Sequence, residues 1–483
     1  MFARYTLNIG ERADLTTFAL GRARFETRHQ SAVVEHTSVL SPTVVNSARA
    51  GLSRTQTVNN LVEPIDKAID SPDFVFVPGA RAMGRIDVVG LSLFPGGSGG
   101  LDYDNNAFTS LQLYDDLSYV SGRHWIKAGL SVERTRFNSD SQSLNSGEYR
   151  FPSVRDFLEN RSDRFRALLP GSDTIRGLRQ WIFGWYVQDR IQIFRNFSVQ
   201  LGLRHEWITT PREVQGKIAN LDTLMSTAVR VVGPLFQNPS LKNFAPRAGF
   251  SWDLSGNGRT LVRGGYGIYH DQLLSQFLLI AGFRNPPAYQ SGSIQGLSVG
   301  RFPSAGFVEL VNRPSLDLRA ERLPREPSQP YVQQWNFNLE QSLGRLGNLR
   351  AAYAGSHGVH LSQIIEDANL APSSIASDGR VFFPAGGVRA NPNFGVIRDR
   401  RFEGQSFYQS LQIGWENRRS SVLKYSLSYV LSKSIDDDSA TFAQSESENS
   451  IGIPLNGNSR FNRGLSNHDQ RHNFVGTLTW ELG

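Results

Sequence analysis

The sequence predicts an all-β fold, an antiparallel transmembrane β-barrel, on three observations. Apolar and polar residues alternate through many segments of strand length, the connections alternate between short turns and long polar stretches, and no window approaches a membrane-spanning helix. Alternation with period two sends successive side chains to opposite faces, so one face of such a segment suits hydrocarbon and the other suits water. A soluble sheet can meet that demand by packing one face on a core. Recurrence along the whole chain is therefore what carries the membrane reading.

Taken in order, alternation is read at residues 2–10, 14–26, 31–40 and 43–54, then at 108–121 and 123–138. The clearest hairpin is 183–207, where Phe197, Val199, Leu201, Leu203 and Trp207 fall opposite Ser198, Gln200, Gly202, Arg204 and Glu206. Weaker copies at 245–254 and 259–270 precede Gln333–Leu343, with Trp335, Phe337 and Leu339 on one face. Phe407–Glu416, Leu423–Ser432 and Arg471–Leu482 repeat the pattern. The total is about 15 strands, many near the roughly 9 to 11 residues that cross a bilayer at a tilt.

The short connections carry turn chemistry: Ser-Pro at 41–42, Asn-Gly at 257–258 and Gly-Asn at 347–348. The long ones lie near 55–107, 139–178, 209–244, 271–329, 358–405 and 434–469. Strict alternation puts every long connection at one end of the sheet, as outer-membrane barrels do and compact soluble domains rarely do. On this count odd-numbered strands run down from the long loops, and even-numbered strands run up. All eight tryptophans fall in strands or at strand ends, where interfacial girdles place them.

Composition narrows the function. Cysteine is absent, which removes disulfides, thiolate nucleophiles and cysteine-ligated metal centres. The net charge of +7 arises from 51 basic and 44 acidic residues spread along the chain, without a basic block for nucleic acid. The most apolar stretch, Phe277 to Phe283, is far too short to span a membrane as a helix. Residues after Met1 read as strand and show no secretion signal, so the expectation is a cytoplasmic protein or a chain that begins inside a longer precursor.

Candidate chemistry is sparse. His468 and His472 are spaced by four residues but lack a third ligand nearby, and His357 with His360 flank a glycine read as a bend where a strand leaves the sheet. Residues 96–106 begin like a calcium loop, yet Ala107 stands where its glycine belongs and Leu113 where its glutamate belongs. That stretch is read as a flexible loop, and Asp436, Asp437 and Asp438 as part of a solvated one. No Gly-x-Ser-x-Gly elbow or paired carboxylate site is found. The expectation is no enzyme, no catalytic or metal residues and no cofactor, with ligand recognition left to loops 209–244, 271–329 and 358–405.

Particular strings add a resemblance. Tyr186-Val-Gln-Asp-Arg followed by Asn196-Phe-Ser-Val-Gln-Leu-Gly-Leu-Arg-His-Glu resembles paired strands of TonB-dependent outer-membrane receptors. Asn243-Phe-Ala-Pro-Arg-Ala-Gly-Phe, Val262-Arg-Gly-Gly-Tyr-Gly-Ile-Tyr-His-Asp, Pro330-Tyr-Val-Gln-Gln-Trp-Asn, Ala352-Tyr-Ala-Gly-Ser-His-Gly, Ser410-Leu-Gln-Ile, Tyr429-Val-Leu-Ser-Lys-Ser-Ile-Asp-Asp and Asp469-Gln-Arg-His-Asn-Phe are similar to the Oar-like branch, in order over nearly the whole chain. The resemblance implies residues 1–483 as part of a barrel of roughly 22 strands, set in outer-membrane lipid. It further implies import of an external ligand, driven through a plug by the inner-membrane TonB complex. Signal peptide, plug, TonB box and final strands are not seen, so the expectation is a fragment of a longer product. An anchoring or adhesive barrel without transport, and a soluble sandwich or propeller, are the alternatives.

Overall fold

The computed structural model describes residues 1–15, 21–65, 71–80, 83–91, 103–273, 282–296, 302–312, 317–378, 381–383, 387–417, 423–439 and 462–481. Its framework is one antiparallel meander of long strands. In chain order these are β1 (Phe2–Leu15), β2 (Gly21–Ser41), β3 (Val44–Pro64), β4 (Asp104–Ser121), β5 (His124–Ser141), β6 (Ile175–Phe194) and β7 (Phe197–Ile208). There follow β8 (Phe244–Asp253), β9 (Thr260–His270), β10 (Tyr331–Ser342), β11 (Asn348–Ile365), β12 (Ile397–Asn417), β13 (Leu423–Asp436) and β14 (His472–Trp480). Each pairs antiparallel with its neighbours in sequence. Among the described residues β1 pairs only with β2, and β14 only with β13.

The expected all-β class and the alternation of connections hold, with two corrections. Segments 14–26 and 31–40 are not separate strands, because β2 runs unbroken from Gly21 to Ser41. With one strand fewer, β1 and the other odd strands run toward the long-loop end, the reverse of the expected direction; β14 still runs away from it. The second correction concerns His357-Gly-Val-His360. The strand does not leave the sheet there; the register jumps between Gly358 and Leu361, with His360 at φ 57°, and β11 continues to Ile365. One inserted residue at a β-bulge bends a strand without ending it.

Cross-strand pairing sorts the faces. Leu201 pairs with Ala248, Phe337 with Gly264 and Tyr353, and Leu411 with Tyr353 and Leu431, so one face carries an apolar band, broken at Asp189 opposite Leu201. The other face carries a polar network. Tyr186 Oη donates to Asp116 at 2.7 Å, Ser110 Oγ to Glu133 at 2.6 Å, and Arg263 Nη1 to Glu340 at 2.8 Å. Side chains that would be stranded in lipid thus meet partners on the inner face. Seven tryptophans share the apolar face by register. Trp125, paired with Val120 and Arg190, has the opposite parity.

The long connections depart most from expectation. Segments read as polar loops fold into a cap with its own sheet, ordered Asp317–Leu318, Ser291–Gln295, Arg164–Leu168, Glu148–Phe151 and Arg85–Val88. Tyr149 is fully buried at its centre, with ring centroids 4.6 Å from Phe165 and 5.1 Å from Phe76, and its hydroxyl accepts from Gly306 N. A second core joins Phe137 of β5, Leu178 of β6, Ile208 of β7 and Phe402 of β12 to Ile218, Phe236, Phe283 and Leu323 from the connections. All four wall residues have inward parity. β5 and β12 are seven strands apart, about 34 Å along a flat sheet at ~4.8 Å per strand. A core that touches both therefore sits on the concave side, in the mouth of the curved wall.

Candidate functional site

The three connections expected to recognise a ligand converge at this mouth. A cavity of about 460 Å³ is lined by Leu224 from the first, Arg322, Pro324 and Glu326 from the second, and Asp399, Arg401 and Glu403 at the start of β12. The range 358–405 was too generous for a loop, since β11 extends to Ile365 and β12 begins at Ile397. The cavity forms because Ala320–Arg322 crosses over to pair in parallel with Ile397–Asp399. At its base Asp399 is fully buried, accepting from Arg322 Nη1 at 2.6 Å and Arg401 Nε at 2.8 Å. Two guanidiniums on one carboxylate meet the condition under which a buried charge is tolerated.

Buried asparagines hold the walls of the cavity together. Asn220 Nδ2 donates to Leu323 O at 2.8 Å and its Oδ1 accepts from Leu323 N, a two-point clasp between the connections 209–243 and 271–330. Asn285 does the same with Glu321, and Asn391 Nδ2 donates to Leu224 O and Ser226 O at 2.8 Å. An amide side chain presents donor and acceptor together, so it mimics a strand neighbour where no strand exists. Composition had marked these segments only as polar. The missed signal was local alternation at Tyr149/Phe151 and Phe165/Ala167, short strand patterns inside supposed loops.

The electrostatics of the cap follow from burial. Glu148, 1% exposed, accepts from Arg164 Nη2 at 2.9 Å and Arg166 Nη2 at 2.8 Å, with Arg85 Nε at 3.3 Å. Burial alone would raise its pKa, but Arg166, Arg85 and Arg164 outweigh it and hold the carboxyl below its ordinary value. Glu213 is held low against the same burial penalty by the backbone N–H groups of Lys217, Gly177 and Gln215. Arg319 is pushed down to about 10, first by burial and then by Arg398 beside it. At the cavity rim Glu326 and Glu403 are exposed.

The remaining expected candidates separate. His468 Nε2 lies 3.3 Å from Ser439 O, whereas His472 Nδ1 lies 2.8 Å from Tyr429 Oη on β13. His357 stacks on Phe407 at 3.9 Å and His360 lies 6.2 Å from Tyr331, so each joins an aromatic row of the outward face. Among the described residues no group of three or more His, Cys, Asp or Glu could hold a metal ion. Residues 96–102 lie outside the described residues, and Asp104–Asn106 open β4. Asp436 ends β13 and accepts from Ser439 Oγ, while Asp437 is buried and accepts from Gln405 N at 3.0 Å. These two are structural ligands of strand ends, which corrects their reading as solvated.

Comparison with known proteins agrees with this architecture. The Escherichia coli outer membrane transporter YddB aligns with a TM-score of 0.54 at 13% identity, covering 90% of this chain and 46% of that one. The ferric enterobactin receptor PfeA from Pseudomonas aeruginosa, in complex with BCV-L6, aligns with a TM-score of 0.47 at 11% identity, covering 90% and 52%. The ferric-catecholate import receptor Fiu of E. coli aligns with a TM-score of 0.43 at 11% identity, covering 95% and 52%. The chain thus spans about half the length of these structures. Curated proteins include no match by sequence. The wall has the fold of an outer-membrane transporter barrel. The family described as outer membrane beta barrel domain matches residues 1–483. With its lipid-facing band, polar inner face and full-length family match, the chain belongs to the outer membrane β-barrel domain family and resides in the outer membrane.

Proposed function

We infer that this chain is the barrel of a TonB-dependent receptor of the Oar-like branch, which captures an external ligand in its cap and passes it across the outer membrane. The carrying observation is the cavity at which Leu224, Arg322 and Asp399 meet, from the three connections that cross the mouth. A rigid wall positions such connections for recognition. Asp399 occupies both guanidiniums at the base, so the exposed carboxylates of Glu326 and Glu403 and the apolar surfaces of Leu224 and Pro324 face the ligand. Coupling to the TonB complex would act through a plug, with no catalytic step on the protein.

The cap also supports an adhesive reading, because its own buried cores present a fixed surface. Uptake separates the two. Glu403→Cys in this cysteine-free sequence accepts one fluorophore in the protein as expressed in the outer membrane. A panel of ferric siderophores, oligosaccharides and peptides is expected to contain one class that quenches the probe and enters cells only when the gene is intact. Quenching without gene-dependent uptake would favour adhesion. Neither effect, with any class, removes ligand capture from the account.

A further inference from the structure

The apolar band of the wall carries carboxylates at Asp189 on β6, which His124 Nδ1 meets at 2.6 Å, and on β4. On β4 the outward residues are Leu111, Leu113, Asp115, Leu117 and Tyr119, all exposed, which puts a carboxylate in the middle of the band. Asp115 accepts a hydrogen bond from Asn46 Nδ2 on β3. Ala48 pairs across to both Asp115 and His36, so these three form one cross-strand row. Because Ala48 and Ala50 are small, the surface sinks between β2 and β5 into a groove of about 330 Å³, flanked by Val34, Leu113 and Leu130. Leu130, 65% exposed, forms one bank.

A polar residue facing lipid at this depth needs a partner, since acyl chains offer no donor and a headgroup lies at the interface. Asp115 has acceptor capacity beyond the one bond from Asn46. Only another protein brings a donor into the middle of the hydrocarbon layer. The row itself supplies the complement: a carboxylate on the β4 side, an imidazole on the β2 side, and small residues between. We propose that the outward face of β2–β5 is the seat of a second copy of this chain, related by a two-fold axis along the bilayer normal beside Ala48. Such an axis lays the β2 side of each copy on the β4 side of the other, so His36 approaches the opposing Asp115 twice, as an isologous interface requires. The alanines let the two walls come close, as small residues do in membrane interfaces.

The absence of cysteine makes the test direct. Ala48→Cys places a single thiol beside the axis, and Leu339→Cys places one on β10, outside the groove. In outer membranes treated with a short bifunctional maleimide, Ala48→Cys is expected to give a cross-linked dimer and Leu339→Cys to stay monomeric. Adding Asp115→Leu to Ala48→Cys removes the polar pair while keeping an apolar, lipid-compatible face. It is expected to lower the dimer yield about tenfold, the equivalent of ~1.4 kcal/mol. No dimer through Ala48→Cys, equal dimer through both thiols, or a yield indifferent to Asp115→Leu would overturn the proposal. The first of these would leave lipid as the cover of the groove.

Discussion

Arg322 donates to Asp399 across 2.6 Å, and this bond ties the connection 271–330 to the top of β12. Asp399 is fully buried and also holds Arg401, so its charge serves two guanidiniums from opposite sides of the cavity base. Asp399→Asn leaves two half-buried guanidiniums without their counter-charge. Loss of a buried partner costs about 3–5 kcal/mol, and here the loss falls on the docked segment. Amide exchange at 320–328 and 397–403 is expected to accelerate while β4 and β5 stay protected. Unchanged exchange at both segments would contradict the clasp.

Glu148 makes the cap sensitive to acid. Its folded pKa is lowered, so its contribution to stability is complete above the ordinary value of 4.5 and is lost as pH falls through the folded value. Urea unfolding of the cap, followed by fluorescence at pH 7, 5 and 3, should show a steep loss only at the acid end. Glu148→Gln should weaken the cap at pH 7 and flatten that acid dependence. A variant as acid-sensitive as the parent would place the titration elsewhere.

Trp335 lies over Gly355, its cross-strand partner. A Cβ at 355 would come within 2.6 Å of the indole. Gly355→Ala is expected to cost about 1–3 kcal/mol in refolding into lipid vesicles, as overpacking does. Trp335→Ala should relieve most of that cost, so a double-mutant cycle should be strongly non-additive. Additive effects would mean the indole does not depend on the missing side chain.

Adjacent residues on β12 face opposite solvents. Leu411 is 43% exposed on the apolar face, and Gln412 pairs with Ala352 and Val430 on the inner one. Leu411→Arg is expected to cost about 2–4 kcal/mol in a bilayer, and Gln412→Arg much less. Equal costs in vesicle refolding would contradict the assignment of faces.

How much of this was legible varies with the range of the interaction. The wall was readable because alternation is a property of neighbours along the chain, and Leu423–Tyr429 shows it without a break. Strand ends were less so: nothing local distinguishes the extension of β11 past His360 from a loop, since its partner Phe402 lies 40 positions away. Residues of the three loop ranges meet at one cavity, but Arg322 and Asp399 could not be singled out. An arginine and an aspartate 77 positions apart become a pair only when a parallel strand brings them side by side.

The sequence by itself determined the class of fold, the membrane it suits and the gathering of the long connections at one end, because a two-residue period and turn chemistry act over a few residues. Tertiary structure alone decided that the long connections are a folded cap rather than loose polar loops. Its cores draw Phe137, Phe283 and Phe402 together from segments that are ordinary in isolation. It also decided that Ala48 lies between His36 and Asp115. Burial and cross-strand register are set by pairings between distant segments, and a single chain read in order carries no record of which segments those are.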